Sequence, residues 1–171
     1  MKNTPIFAIP VRPHVRQFML YKYGPAQPHA VHQNTFLGRV VRMKIEKQPF
    51  RQLRQAEKPE GSVYQLTLPT ALRHYTISPE SAKQMGEMFD KLFQEALIMF
   101  VIGQVIATGN ERKALRSFCK LYGIDPSDAD LEVLRKVYRD YKEKVLEDNG
   151  QADLLNWPES QELFSDFAVR S

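Results

Sequence analysis

Hydrophobic and polar positions recur along this chain with two different periods, and each change of period marks out an element. Thr4 to Val11 is apolar and bracketed by prolines, which predicts a short edge strand, because proline cannot donate to an interior ladder. Pro13 suits the first turn of a helix. Val15, Phe18 and Met19 then recur at spacings of three and four, until Lys22 interrupts the stripe and Gly24-Pro25 ends it. Residues 25–33, rich in proline and histidine, read as a surface loop. Asn34 or Thr35 caps a second helix. Its apolar stripe is Phe36, Leu37, Val40, Val41 and Ile45, and Arg39, Arg42, Lys44 and Lys47 form its other side. Gln48 to Gly61 is polar and basic and reads as a mobile loop. Ser62 to Leu68 alternates as a strand does, and a second strand over Arg73 to Ile77 is expected to pair with it across Pro69-Thr70-Ala71.

From Ser78 onward the period is helical. Ser78-Pro79-Glu80 combines a capping hydroxyl, a proline at the first helical position and an acid at the positive end of the helix dipole. The helix so begun should run to about Thr108. Its first half is amphipathic (Met85, Met88, Phe89, Leu92, Phe93, Ala96) and its second half apolar nearly all round. That pattern suits either the central helix of a bundle or a dimer interface. Gly109-Asn110 breaks it. Glu111 to Tyr122 is the next helix, ended by Gly123. Ser127 or Asp128 caps a last one to about Glu147, with the stripe Leu131, Leu134, Val137 or Tyr138, Tyr141 and Val145. In the polar, acidic tail, Leu154, Leu155, Trp157, Leu163, Phe164 and Phe167 are enough apolar surface to dock it on the rest.

These elements define an α+β fold, mainly α. A small two- or three-stranded sheet with two short helices occupies residues 1–77, a three-helix unit 78–147 and a packing tail 148–171, within one compact domain. No repeat or low-complexity segment interrupts them.

Composition narrows the class. With 43% hydrophobic and 26% charged residues the chain has the make-up of a folded globular protein. The single cysteine, Cys119, forbids an intrachain disulfide and suits a reducing compartment, so a cytoplasmic location is expected. The longest apolar run, Leu97 to Ala107, is about 11 residues and contains Gln104. A membrane span needs roughly 20, so a buried core segment is expected and no membrane association. Net charge is only +4, but it is unevenly spread. Residues 1–75 carry twelve Lys or Arg against three acids (+9), and residues 76–171 carry twelve against seventeen (−5). Such a split implies either a surface that faces a polyanion or two halves that attract each other.

Two constellations carry candidate chemistry. The first is the helical pair 111–147, which has the outline of a helix-turn-helix. Ala114, Leu115, Phe118 and Cys119 would face inward, Gly123-Ile124 would form the turn, and a second helix would bear Arg135, Lys136, Arg139, Lys142 and Lys144. Against it stand a turn longer than usual and the acids Asp128, Asp130 and Glu132 at the start of the second helix. The second constellation is the basic N-terminal half, where Arg12, Arg16, Lys22, Arg39, Arg42, Lys44, Lys47, Arg51 and Arg54 are interleaved with Phe18, Tyr21, Tyr23 and Phe50. Unneutralised cations of this kind bind phosphate in a salt-dependent way, and aromatics among them either stack on bases or belong to the core. The expected nucleic-acid contacts are thus Arg39, Arg42, Arg51 and Arg54 in the first half, with Arg135, Lys136, Arg139 and Lys142 on the last helix.

Other chemistries find little footing. His29 and His32 in the loop, with one cysteine in the chain, do not make a zinc set, and a calcium loop begun at Asp128 would put Val133 and Arg139 where glycine and a bidentate acid belong. There is no glycine-rich phosphate loop and no nucleophile elbow. Cys119, on an apolar helical stripe, reads as packing. No cofactor, metal or catalytic residue is expected.

Two stretches bear a family resemblance: Val11-Arg12-Pro13-His14-Val15-Arg16-Gln17-Phe18 leading into Lys22-Tyr23-Gly24, and Phe118 to Ile124 leading into Leu134-Arg135-Lys136-Val137-Tyr138-Arg139-Asp140-Tyr141. Together they resemble small uncharacterised proteins carried by phages and mobile elements of Bacteroidetes, which implies DNA binding and brings no assigned active residues. The expectation is a non-catalytic nucleic-acid-binding protein, DNA rather than RNA, in regulation or replication of a phage or mobile element. The alternative is a structural or interaction protein, such as a phage assembly component, that oligomerises through the apolar 97–107 helix.

Overall fold

The computed structural model describes residues 5–47, 61–72, 74–125, 129 and 131–149. The fold is α+β and mainly helical, as the periodicities imply. Its elements are β1 (Ile6–Pro10), α1 (Pro13–Tyr23), β2 (His29–Ala30), α2 (Phe36–Lys44), β3 (Ile45–Lys47), β4 (Val63–Thr67), β5 (Tyr75–Ile77), α3 (Pro79–Thr108), α4 (Glu111–Tyr122) and α5 (Leu131–Asn149). The chain divides into two compact units, residues 1–95 with 119–129, and residues 96–118 with 130–171. Their boundaries cut through α3 and α4 and do not fall at Ser78.

In the first unit β4 is the central strand of a three-stranded sheet, order β1-β4-β2. It runs antiparallel to β1, with Ile9 opposite Tyr64, and parallel to β2, with His29 opposite Leu66. The proline-bracketed β1 lies at the sheet edge, where the missing N–H groups are harmless. Three expectations fail here. The strand after Thr70 does not form a hairpin with β4, because a 3-10 turn over Thr70–Leu72 redirects the chain and both edges of β4 are taken by β1 and β2. Instead β5 pairs antiparallel with β3, Ile45 opposite Ile77. Ile45 therefore leaves the helix. Its backbone is extended (φ −82°, ψ 144°), and this β-branched residue opens β3. The expected loop 25–33 also contains β2.

The core of this unit joins Ile9, Tyr64 and Leu66 of the sheet to Val15, Phe18 and Met19 of α1, Leu37, Val40 and Val41 of α2, and Met85, Phe89 and Phe93 of α3, all buried. Phe18 meets Phe93 edge-on with ring centroids 5.6 Å apart, a favourable aromatic arrangement. Ser78 caps α3 as expected, its Oγ accepting the Ser81 N–H at 3.3 Å. The hydroxyls of Ser78 and Ser81 both lie against Glu46 Oε1, at 3.0 and 3.3 Å, which ties the start of α3 to β3.

In the second unit Leu97, Val101, Ala114, Leu115, Phe118, Leu134 and Tyr138 are buried, and Phe100 packs edge-on against Phe118 at 5.5 Å. The reading of 97–107 as a buried core segment holds for one face only. Leu97 and Val101 are covered, while Met99 is 69% and Ile106 49% exposed. By length and composition alone α3 could cross a membrane. Asn110 caps α4, its Oδ1 accepting the Lys113 N–H at 2.9 Å. Helix α4 ends at Tyr122 and α5 begins at Leu131, and residues 126–128 and 130 of the connection between them lie outside the described residues. Ser127 and Asp128 and the tail from residue 150 lie outside the described residues.

Candidate nucleic-acid interface

Helix α2 is set on the first unit by its own N-terminus. Thr35 Oγ1 accepts the Gly38 N–H at 3.0 Å and donates to the His32 carbonyl at 2.7 Å. Gly38 itself lies so close to the His32 carbonyl that a Cβ would collide with backbone. With Leu37, Gly38, Val40 and Val41 facing inward, the helical period turns Arg39, Arg42 and Met43 outward. Phe36 joins them, 48% exposed, and Met43 is 67% exposed. The helix carries three cations and no acid. Arg39 and Arg42 make no ion pair or hydrogen bond through their side chains among the described residues. Lys44 is partly occupied, its Nζ donating to Gln84 Oε1 at 2.5 Å, and Lys47 on β3 is exposed.

The other cations of the first half are differently placed. Arg12 reaches Asp90 at 3.7 Å, Arg16 Nε donates to the Val63 carbonyl at 3.0 Å, and Lys22 lies 5.6 Å from the centre of the Phe18 ring. Arg51, Arg54 and Phe50 lie outside the described residues. Of the aromatics expected either to stack or to pack, Phe18 is buried and Tyr23 half-buried, while Tyr21 is exposed with its ring 4.9 Å from Tyr122.

The cations of α5 sit among acids of their own unit. Arg135 Nε contacts Glu111 at 3.3 Å and its terminal amine Glu132 at 3.8 Å. Arg139 contacts Asp140 at 4.0 Å and Glu143 at 3.8 Å. Lys142 Nζ reaches Glu111 at 3.1 Å and lies 4.8 Å from the Tyr138 ring centre. Lys136 makes no ion pair among the described residues. Helix α5 carries five cations and five acids, so it is neutral overall. Surface pairs like these add little stability, typically 0–1 kcal/mol each. Their consequence is electrostatic, because a carboxylate beside each guanidinium repels the phosphates that the guanidinium attracts. The acid-free face of α2 has no such opposition.

Burial shifts a few other groups. The Tyr138 phenol is pushed up by burial, then by Glu111 and Tyr141. The His29 imidazole is pushed down by burial and by its neighbour His32. Burial also raises the Cys119 thiol, which keeps it protonated and unreactive near neutral pH. No group of three or more metal-ligating side chains occurs among the described residues.

Comparison with protein-family models, with curated proteins and with solved structures finds no match to this chain.

Proposed function

We propose that the protein is a non-catalytic nucleic-acid-binding protein, acting on DNA rather than RNA, whose primary contact is the outward face of α2. The observation that carries this reading is the pair Arg39 and Arg42, solvent-exposed and without ion pairs among the described residues, on a helix without an acid. Guanidinium groups so placed form charge-assisted, bidentate bonds to phosphodiester oxygens. Arg51 and Arg54, a few residues further on, would extend the same basic segment. The resemblance to proteins of phages and mobile elements supports a regulatory or replicative role, and the single cysteine suits work in a reducing cytoplasm.

The test is fluorescence anisotropy with labelled duplex and single-stranded DNA between 50 and 200 mM salt, concentrations set by the range over which phosphate contacts report themselves. Affinity should fall steeply with salt. Arg39→Ala and Arg42→Ala should each reduce the logarithmic salt slope by about one and weaken all sequences alike. Absence of binding at the lowest salt contradicts the proposal.

A second reading, an interaction protein that associates through residues 97–107, is favoured by the exposure of Met99 and Ile106 on an uncharged stretch of α3. Light scattering separates the two. A stable oligomer dissolved by Met99→Lys, in a chain that ignores DNA, supports association.

A further inference from the structure

We infer that the second unit holds a binding site for a tetrahedral phosphate-class oxyanion, in a small pocket between the first two turns of α4 and the first turn of α5. The pocket has a volume of about 180 Å³ and is lined by Arg112, Leu115, Arg116, Leu131, Glu132 and Arg135. Leu115, buried, and Leu131 form an apolar wall. Three guanidinium groups and one carboxylate supply the charge. All six residues belong to the same unit.

Arg112 and Arg116 are four residues apart on α4, so they project from one face as neighbours. Like charges at that spacing destabilise a helix unless an anion lies between or beside them. Glu132 answers only part of that need. It contacts Arg112 at 3.4 Å and Arg135 at 3.8 Å, and Arg116 makes no ion pair among the described residues. Glu111 takes the Nε edge of Arg135, at 3.3 Å. The lining therefore carries a surplus of positive charge around a hollow, with the cations held at its rim by one shared carboxylate.

Size decides the class of ligand. Pockets for drug-sized ligands and cofactors run to about 300–1,000 Å³, so a nucleotide base and sugar would not fit inside this one. A single phosphoryl group would. Arginine forks match its oxygens bidentately, and Arg116 brings a positive charge that no carboxylate among the described residues opposes. The group could arrive as free phosphate or as the end of a monoester whose remainder stays in solvent. The shared chemistry is the terminal phosphoryl dianion.

The site belongs to a different unit from the α2 face, and the inference does not depend on that face. The experiment is isothermal titration of the full chain with inorganic phosphate, and separately with phenyl phosphate, against sodium chloride at matched ionic strength. Saturable binding of phosphate beyond the chloride control is expected. Arg112→Ala and Arg116→Ala should each weaken it by at least about tenfold, the loss expected for a charge-assisted contact. Glu132→Gln, which removes the competing carboxylate, should tighten it, and circular dichroism confirms that each variant is folded. Equal affinity for the two ligands identifies a site that reads the phosphoryl group alone, and tighter phenyl phosphate identifies a monoester site. No saturable binding of either ligand overturns the inference, as does binding that survives the Arg112→Ala/Arg116→Ala double variant.

Discussion

Tyr64 is wholly buried on the inner face of β4, and its hydroxyl makes no well-formed hydrogen bond, the Gln27 side chain acting on it only as a poorly placed partner. The Tyr23 hydroxyl is similarly buried and unpartnered. A buried hydroxyl without a partner costs about 1–3 kcal/mol, so Tyr64→Phe should raise the melting temperature, where most core substitutions lower it. A fall in Tm would show that the hydroxyl is satisfied in solution. The phenol pKa is pushed up to about 12, by burial first and then by Tyr23, against an opposing effect of Gln27. Because the folded pKa lies above the unfolded one, the folded state holds the proton longer. Stability is intact below about pH 10 and is lost as pH rises through the window up to about 12. Comparing melting at pH 9 and pH 11.5 should show a smaller alkaline loss in Tyr64→Phe than in the parent. Residues are also where sequence reasoning meets its local limit. The apolar stripe of α2 placed Arg39 and Arg42 outside without ambiguity, since Leu37, Val40 and Val41 fill the inner face. Phe36 is indistinguishable from its neighbour Leu37 by apolar character, but it lies at the edge of the buried stripe formed by Leu37, Gly38, Val40 and Val41 and is left half exposed. Arg112 and Arg116 carry no local signal either, because nothing in the linear sequence says that they meet Arg135 across a pocket.

At the scale of elements, packing rests on two glycines where backbone meets backbone. Gly38 lets the first turn of α2 sit on the His32 carbonyl, and Gly86 lets α3 lie against the Pro10 carbonyl at the end of β1. Neither position needs a special φ. What each lacks room for is a methyl group. Gly86→Ala should destabilise by about 1–3 kcal/mol or more, measured by urea denaturation, because the obstacle is main chain and cannot rotate away. Thr35→Ala, which removes only the cap of α2, should cost about 1 kcal/mol. Equal losses from the two would contradict the close approach at Gly86. The helices were legible because their starts and stops are local chemistry, as at Ser78-Pro79-Glu80 and Gly109-Asn110. Strand partners were not. A turn signal at Pro69-Thr70-Ala71 argued for a hairpin, but β4 finds its partners at β1 and β2, and β3 at β5, all far away in sequence. Such pairings are set by which edges are free and by burial, neither of which a short window of sequence contains.

At the scale of the whole molecule, the uneven charge of the two halves resolves into unequal local balances. Helix α5 brings as many acids as cations and pairs three of its four expected phosphate contacts with carboxylates of its own unit. Helix α2 brings cations alone. Summed charge by segment was readable from the chain, but the pairing of each cation required coordinates. Long-range attraction to a polyanion should therefore be focused on α2 and nearly absent along α5. The most direct measurement compares two charge reversals in DNA binding at fixed low salt. Arg39→Glu/Arg42→Glu should abolish binding, while Arg135→Glu/Arg139→Glu should leave most of it in place. The opposite ranking, with loss following α5 and not α2, would contradict the assignment of the interface.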